Sequence, residues 1–407
     1  MSPLSRYQIK LMVFLSVATF FEGFDFMALS QILPNLRAEM GLSEGGAGVM
    51  VAVINVGTVL AWFLVRKADV WGRRKLLMVT IAGYTIFTGL SGLAPNVWAF
   101  TLLQLVARVF LIAEWATSMV FAAEEYPAER RGMVMGVIQA FSSLGSVVCA
   151  GVVPLLLALP WGWRSVYFAG VIPLVLLAVA RRGIQETDRF KCQQVAAPKA
   201  HDIWSILKSP YKWRVLQLAA IWGLTYMCTQ NAITWWKEFA VAERGFSDGE
   251  VSLSITIAAV GSMPLVFASG KLLDVVGRRW GSVIIFITTS IGVLGAYTLQ
   301  GRWPLTAALV MAIFGVSAVL PVLNAYTAEL FPTHLRGDAY AWANNLLGRI
   351  GYVLAPMVVG FAAAEVGWGP AVAVTAIFPL IALGLIWAWM PETRGKELEE
   401  TSALEGA

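Results

Sequence analysis

Apolar residues gather along this chain into long runs, separated by short breaks rich in charge, glycine or proline. A helix that crosses the hydrocarbon core of a bilayer needs about 20 mostly apolar residues. Twelve runs approach that length, near 10–33, 47–66, 76–93, 98–123, 133–158, 165–181, 214–240, 251–270, 281–299, 303–329, 338–364 and 370–390. Twelve such helices use roughly 250 residues by the same rule. Short loops then account for most of the remaining chain, and a large soluble domain has no room.

Composition sharpens this picture. Of the 407 residues 58% are hydrophobic and 14% charged, whereas a soluble domain is about 25% charged. A soluble globular chain and a long disordered one are both excluded. The 30 Lys+Arg against 25 Asp+Glu leave a net +5, which an apolar chain does not use to hold nucleic acid. On the twelve-span pattern, 23 of the Lys+Arg fall in the termini and in the loops after even-numbered spans. Arg37, Arg164, Lys237, Arg244 and Arg302 fall on the other side, and Arg108 and Arg349 inside spans. The excess of Lys/Arg marks the cytoplasmic side. Both termini and the 182–213 segment are therefore expected there, in an integral membrane protein of the bacterial inner membrane. The first apolar stretch is too long for a cleavable signal peptide and carries acids. Cys149, Cys192 and Cys228 have no metal-ligand spacing and imply no disulfide framework. No nucleophile–base pair, metal cluster or nucleotide loop stands out. No catalytic or metal-binding residues are expected, and no cofactor.

The chain repeats itself. Asp69-Val70-Trp71-Gly72-Arg73-Arg74 returns 205 residues later as Asp274-Val275-Val276-Gly277-Arg278-Arg279. Glu124, Pro127, Arg131 and Gly132 return at the same offset as Glu329, Pro332, Arg336 and Gly337, and Trp163 as Trp368. A shared offset implies duplication of a six-helix unit in one orientation, the arrangement of many secondary transporters. The expected fold is an all-α membrane protein of two six-helix bundles: 1–181, a linker 182–213, and 214–407 with a short tail.

These motifs carry a family resemblance over the whole chain. Val65 to Arg74 resembles the G-x-L-A-D-R-x-G-R-R signature that follows helix 2 in the major facilitator superfamily, with Val65 and Lys67 replacing Gly and Leu. Gly270 to Arg279 is the second copy. The Glu124–Gly132 and Glu329–Gly337 segments resemble the E-x-x-P-x-x-x-R-G blocks after helices 4 and 10, and Pro391-Glu392-Thr393-Arg394-Gly395 resembles the P-E-T-K/R-G block after helix 12. Together they point to the branch of sugar porters, aromatic-acid:proton symporters and organic ion transporters. Glu22-Gly23-Phe24-Asp25 is similar to the D-G-Y-D of aromatic-acid:proton symporters and to the G-Y-D of sugar porters. Tyr326 to Thr333 looks like the organic ion transporter form of helix 10, and Asn324 stands where sugar porters carry Trp. Gly348-Arg349-Ile350-Gly351 is similar to the R-x-G block of helix 11 in organic-anion and aromatic-acid members. The resemblance implies an organic acid rather than a sugar.

Five ionisable residues fall at membrane depth: Glu22, Asp25, Arg108, Glu114 and Arg349. Charges there are costly and usually face a partner or a pathway. Asp25 is expected to load and release the coupling proton, the role the resemblance implies for the G-Y-D acid; the alternative is a fixed ion pair. Glu22, one turn earlier on the same face, shares the proton or lines the outer vestibule. The resemblance places the helix-4 Arg where Gln104 stands, so Arg108, one turn later, is expected to partner Asp25; otherwise it is locked to Asp25 or Glu114. Glu114 is expected to orient Arg108 or to pack the bundle rather than to bind substrate. Arg349, with no neutralising neighbour in sequence, suits bidentate binding of a carboxylate. The acid Asp25 corresponds to Gln230 in the second half, and Arg349 to Leu144 in the first. Proton handling and anion binding are thus expected in different bundles.

Further substrate-lining candidates are Gln139, Asn344, Gln230, Asn231, Tyr226, Asn55, Trp222 and Asn324. Interhelical hydrogen bonding is the competing role for the amides. Trp98, Trp161, Trp303 and Trp368 are expected as interfacial anchors, as is Trp236; Trp235 is expected either there or, with Trp222, stacking on an aromatic ring. Asp69, Arg73, Arg74, Glu124, Arg131, Asp274, Arg278, Arg279, Glu329 and Arg336 lie at cytoplasmic helix ends, where the resemblance implies gating salt bridges. The reading as a whole is a monomeric, proton-coupled importer of a small organic carboxylate, its partners the lipid bilayer and the substrate. Rivals are a drug or amphipath exporter, a sugar:proton symporter and a non-transporting receptor.

Overall fold

The computed structural model describes residues 5–66, 71–126, 128–171, 204–332, 335–394 and 401. The secondary structure of these residues is helical. We number the principal helices α1 Arg6–Met40, α2 Glu44–Val65, α3 Arg73–Ser91, α4 Val97–Glu125 and α5 Ala128–Leu157. Helix α6 starts at residue 164 and is described to 171. The second half contains α7 Lys212–Thr234, α8 Asp248–Val276, α9 Arg278–Thr298, α10 Arg302–Glu329, α11 Arg336–Val366 and α12 Trp368–Trp389. Nine of the described helices are long and apolar enough to cross a membrane, with α3 and α7 more polar than these. The architecture is that of a twelve-helix membrane protein. Most of the expected span 165–181 and of the 182–213 linker lies outside the described residues.

The ends of the helices follow local chemistry. The Ser5 hydroxyl accepts the Gln8 N–H at 3.1 Å and the Gln8 side chain accepts the Ser5 N–H at 3.0 Å, closing a capping box on α1. Ser247 and Glu250 do the same for α8. Such boxes satisfy amides that the first turn leaves without partners. Gly41 ends α1 at φ 63°, a left-handed conformation that glycine adopts without strain.

Two expectations change here. The run 214–240 is not one helix: α7 stops at Thr234, and a separate short helix runs over Trp236–Ala242. Helix α11 is not a regular α-helix, because residues Ala341–Gly348 wind as a π-helix directly before Arg349.

The described chain divides into two compact units, one of Met1–Gly41 and Val53–Ala200, the other of Leu42–Ala52 and His201–Ala407. Inside each, glycines bring helix backbones into direct contact. A Cβ placed on Gly145 of α5 would stand 1.9 Å from the Phe20 carbonyl of α1, and one on Gly23 of α1 would stand 1.9 Å from the Ser142 carbonyl. In the second unit a Cβ on Gly351 of α11 would meet the Gly223 carbonyl of α7 at 2.2 Å. Lipid offers no hydrophobic drive for helices to associate, so close packing of small residues supplies it. The pairs α1/α5 and α7/α11 are the seams that carry the polar residues.

This packing predicts a contrast within one helix. Gly145→Ala should lower the melting temperature in detergent, reflecting a loss of about 1–3 kcal/mol from overpacking. Gly136→Ala, where a Cβ meets nothing within 4 Å, should be neutral or slightly stabilising. Equal effects of the two would contradict the seam.

Candidate functional site

The first unit holds a cluster of acids around one cation. Asp25 on α1 and Arg108 on α4 are both buried. Asp25, Glu22, Tyr84 of α3 and Tyr167 of α6 all lie within electrostatic reach of Arg108. The Tyr84 phenol approaches the Asp25 carboxyl as a hydrogen-bonding partner. Glu22 accepts the Ser142 hydroxyl of α5 at 2.9 Å, and Ser146 donates to the Gly23 carbonyl at 2.9 Å. These bonds cross the glycine seam, which is why they are short enough to form. Arg108 rests over the Phe26 ring at 5.5 Å. Its Nε and Nη1 have no hydrogen-bond partner among the described residues. The geometry is therefore neither the permanent Arg108–Asp25 ion pair nor an Arg108–Glu114 pair. Glu114 accepts the Ser118 hydroxyl at 2.7 Å and faces Glu22 instead. Six residues of helix turn it well away from the Arg108 face, so of its two expected roles, orienting Arg108 and packing the bundle, the geometry is at odds with the first.

The second unit holds an arginine among aromatic rings. Arg349 lies over Tyr352 at 4.9 Å and Tyr226 at 5.4 Å. Ring faces attract a guanidinium and hold its plane. The Tyr226 hydroxyl donates to Asn344 at 2.7 Å, and Trp222 packs on Tyr226 with centroids 5.3 Å apart. The Arg349 Nε has no hydrogen-bond partner among the described residues. The π-helical turns reset the register between Asn344 and Arg349, and such distortions recur at functional sites.

Several lining candidates turn out to be committed to the fold. Asn231 accepts the Trp235 indole at 2.8 Å and donates to the Met227 carbonyl at 2.8 Å, so both ends of its amide are used. Trp222 donates its N–H to Thr327 at 3.3 Å and offers only its ring. Gln230 is buried and bonds Thr234. Asn55 is buried, while Gln139 and Asn324 are exposed. Among the tryptophans, Trp98, Trp161 and Trp303 are exposed, as anchors should be. Trp235, Trp236 and Trp368 are not: all three are buried. Trp235 stacks on Trp368 at 4.4 Å, fixing the start of α12 against the end of α7. Glu243 accepts the Trp368 and Gly369 N–H groups at the same helix start. Buried Lys237 pairs with Asp248 at 2.6 Å.

The repeated motif at the helix ends forms a clamp in the second unit. Arg278 pairs with Glu329 at 3.0 Å, and the Thr393 hydroxyl donates to the same carboxylate. Glu392 accepts the backbone N–H groups of Arg278 and Arg279 at 2.9 and 3.0 Å, at the start of α9. Arg279 donates to the Met390 and Trp387 carbonyls at 2.8 and 3.2 Å, at the end of α12. An acid thus faces a positive helix start, and a cation a negative helix end. Arg336 bonds the Phe331 carbonyl at 3.3 Å. In the first unit Arg73 is buried and Arg74 exposed. Asp69, and the side chains of Glu124, Arg131 and Asp274, lie outside the described residues.

The family model described as Major Facilitator Superfamily matches residues 15–238 and 218–405. The chain belongs to this superfamily. It is 28% identical to a "Probable 4-methylmuconolactone transporter" of Cupriavidus pinatubonensis, over 93% of this chain and 89% of that protein. It is 24% identical to a gallate transporter of Pseudomonas putida, over 88% of this chain and 86% of that one. The solved structure of a D-xylose-proton symporter superposes with a TM-score of 0.76 at 19% identity, covering 96% of this chain and 99% of that one. The protein is an integral membrane secondary transporter and not an enzyme. Its major facilitator fold has the duplicated bundles that the 205-residue repeat implied.

Sequence reasoning missed Tyr84, Tyr167, Tyr340 and Tyr352, and read Gln104 only as the place of an absent arginine. Tyr352, three residues after Arg349, shares its helix face, and that spacing was a usable signal. Tyr84 and Tyr167 come from other helices, and nothing in their local sequence marks them.

The clamp generates a pH-dependent prediction. Burial by itself would raise the Glu392 carboxyl, but the N–H groups of Arg279, Arg278, Arg394 and Thr393 outweigh it and hold it below its ordinary value. Its stabilising contribution is therefore full above the unfolded value of about 4.3 and disappears as pH falls through the lower folded value. Glu392→Gln should lower stability at pH 7 by about 1–2 kcal/mol. Melting curves of the two proteins should begin to converge as pH falls below the unfolded value of about 4.3 and meet below the lower folded value.

Proposed function

We propose that this transporter imports a small aromatic carboxylate together with a proton, by alternating access. The observation that carries the reading is Arg349, held over Tyr226 and Tyr352 with its Nε unpartnered among the described residues. A guanidinium offers parallel N–H donors to a carboxylate. Tyr340, partly exposed and packed edge-on to Trp222, offers a ring for an aromatic body. Asn344 supports the site by fixing the Tyr226 hydroxyl. The names of the two relatives, a gallate transporter and a "Probable 4-methylmuconolactone transporter", accord with an organic-acid substrate.

Asp25 is the coupling acid in this reading. It is buried beside Arg108, with Tyr84 as its hydrogen-bonding partner. Protonation removes a charge from a low-dielectric site and changes the balance around Arg108. Glu22, tethered to Ser142, adjusts that balance. Proton and anion each favour one of two conformations through differential affinity, which is all that coupling requires. The clamp made by Arg278, Arg279, Glu329 and Glu392 ties the ends of α9, α10 and α12 together, so that they move as a body when the gate opens. The protein works as a monomer in the bacterial inner membrane, with both termini in the cytoplasm and the proton as its coupling ion.

Two outcomes test this in proteoliposomes. Asp25→Asn should abolish benzoate accumulation driven by an inward pH gradient while counterflow exchange continues. Accumulation by the mutant would remove Asp25 from the coupling role. Arg349→Lys should raise the apparent KM for benzoate about tenfold or more, and a neutral analogue such as benzamide should be affected far less.

A further inference from the structure

A second set of donors lies within the first unit. Phe100, Gln104 and Arg108 succeed one another at four-residue spacing and so share a face of α4. Gln104 is 2% exposed and Arg108 4% exposed. The Gln104 Nε2 and the Arg108 Nε and Nη1 have no hydrogen-bond partner among the described residues. Tyr167 of α6 packs its ring on Phe100 at 5.7 Å and lies within electrostatic reach of Arg108 and Asp25. Its hydroxyl is buried and likewise without a partner among the described residues. Buried polar groups are hydrogen-bonded in most proteins, and each exception asks for an explanation. Here four N–H or O–H donors from three side chains lie on or against the first three turns of α4, and all of them need an acceptor.

We infer that Gln104, Arg108 and Tyr167 form a small-anion site within the first unit. Its ligand is a carboxylate group of the transported molecule or a free inorganic anion such as chloride. Both present lone pairs and no donors, which is the complement of this set. Phe26, under the Arg108 guanidinium at 5.5 Å, limits it to one side. The ionisable groups around Arg108 are Asp25 and Glu22 from α1, Tyr84 from α3 and Tyr167 from α6. An anion held by Arg108 repels charge on Asp25 and Glu22, so anion and proton bind better together than apart. The site deepens the symport reading by giving it a point where anion and coupling acid meet directly. It does not depend on Arg349.

The test uses the full-length purified transporter with sodium benzoate and sodium chloride as separate probes, read by ligand-induced thermal shift at pH 5.5 and 8. Gln104→Leu and Tyr167→Phe remove one donor each and keep the volume nearly constant. Each should weaken binding of at least one anion by about 3- to 10-fold, the range for one hydrogen bond. The unliganded melting temperature should stay the same or rise, since an unsatisfied buried donor has been removed. Affinity should also be higher at pH 5.5 than at 8. Loss of benzoate binding assigns the site to the substrate carboxylate, and loss of chloride binding alone assigns it to an inorganic anion. If both variants bind both anions within twofold of wild type, the inference fails, whatever happens to unliganded stability. Benzoate binding that is lost in Arg349→Lys but kept in both donor variants supports the symport reading and overturns this one. Chloride binding lost in Gln104→Leu, with no benzoate binding in wild type, does the reverse.

Discussion

The contact of bare backbone on bare backbone, α1 against α5 and α7 against α11, is the constraint on which the functional chemistry rests. Gly23 and Gly145 let the first pair approach until Ser142 reaches Glu22 and Ser146 reaches the Gly23 carbonyl. Gly351 against Gly223 does the same for the second pair, where Tyr226 reaches Asn344. A methyl group at Gly23, Gly145 or Gly351 pushes the helices apart by more than a hydrogen bond tolerates. In a membrane such packing also supplies the association itself. One arrangement thus holds each seam together and sets the position of its polar side chains.

The two halves share a scaffold and differ in charge. The first sets two acids, Glu22 and Asp25, beside the buried Arg108, with Glu114 on another face of the same helix. The second has lost the acid and placed an arginine among tyrosines. Duplication explains the common frame, and divergence of a few buried positions explains why the two halves differ in charge. The clamp of the second unit shows the same economy: one carboxylate, Glu392, meets the start of α9, and one guanidinium, Arg279, meets the end of α12. Both use the partial charges that every helix carries at its ends.

Much of this was legible in the sequence because it rests on periodic or repeated signals. Run length located the helices, since the bilayer imposes a minimum span on any crossing segment. The 205-residue offset revealed the duplication. Buried charge at Asp25, Arg108 and Arg349 stood out because such charge is rare in apolar runs. The break at Trp235 was not legible, because Trp236, Phe239 and Ala240 carry the apolar run past it and no glycine or proline marks it. Nor was the burial of Trp236 and Trp368, since an aromatic ring suits a lipid interface and a packed core alike.

The sequence by itself determined the membrane setting, the twelve-helix count, the repeat and the small set of ionisable residues worth attention. Tertiary structure alone decided which of those residues meet. It separated Glu114 from Arg108, committed both ends of Asn231 to the fold, and brought Tyr84 and Tyr167 to Arg108 from other helices. It also wound a π-helix before Arg349 and so set its register against Asn344. The physical reason is that composition and periodicity report on one helix against its solvent. The partner of a buried polar group is chosen by how closely two helices approach and how each is rotated, and that depends on all their contacts at once.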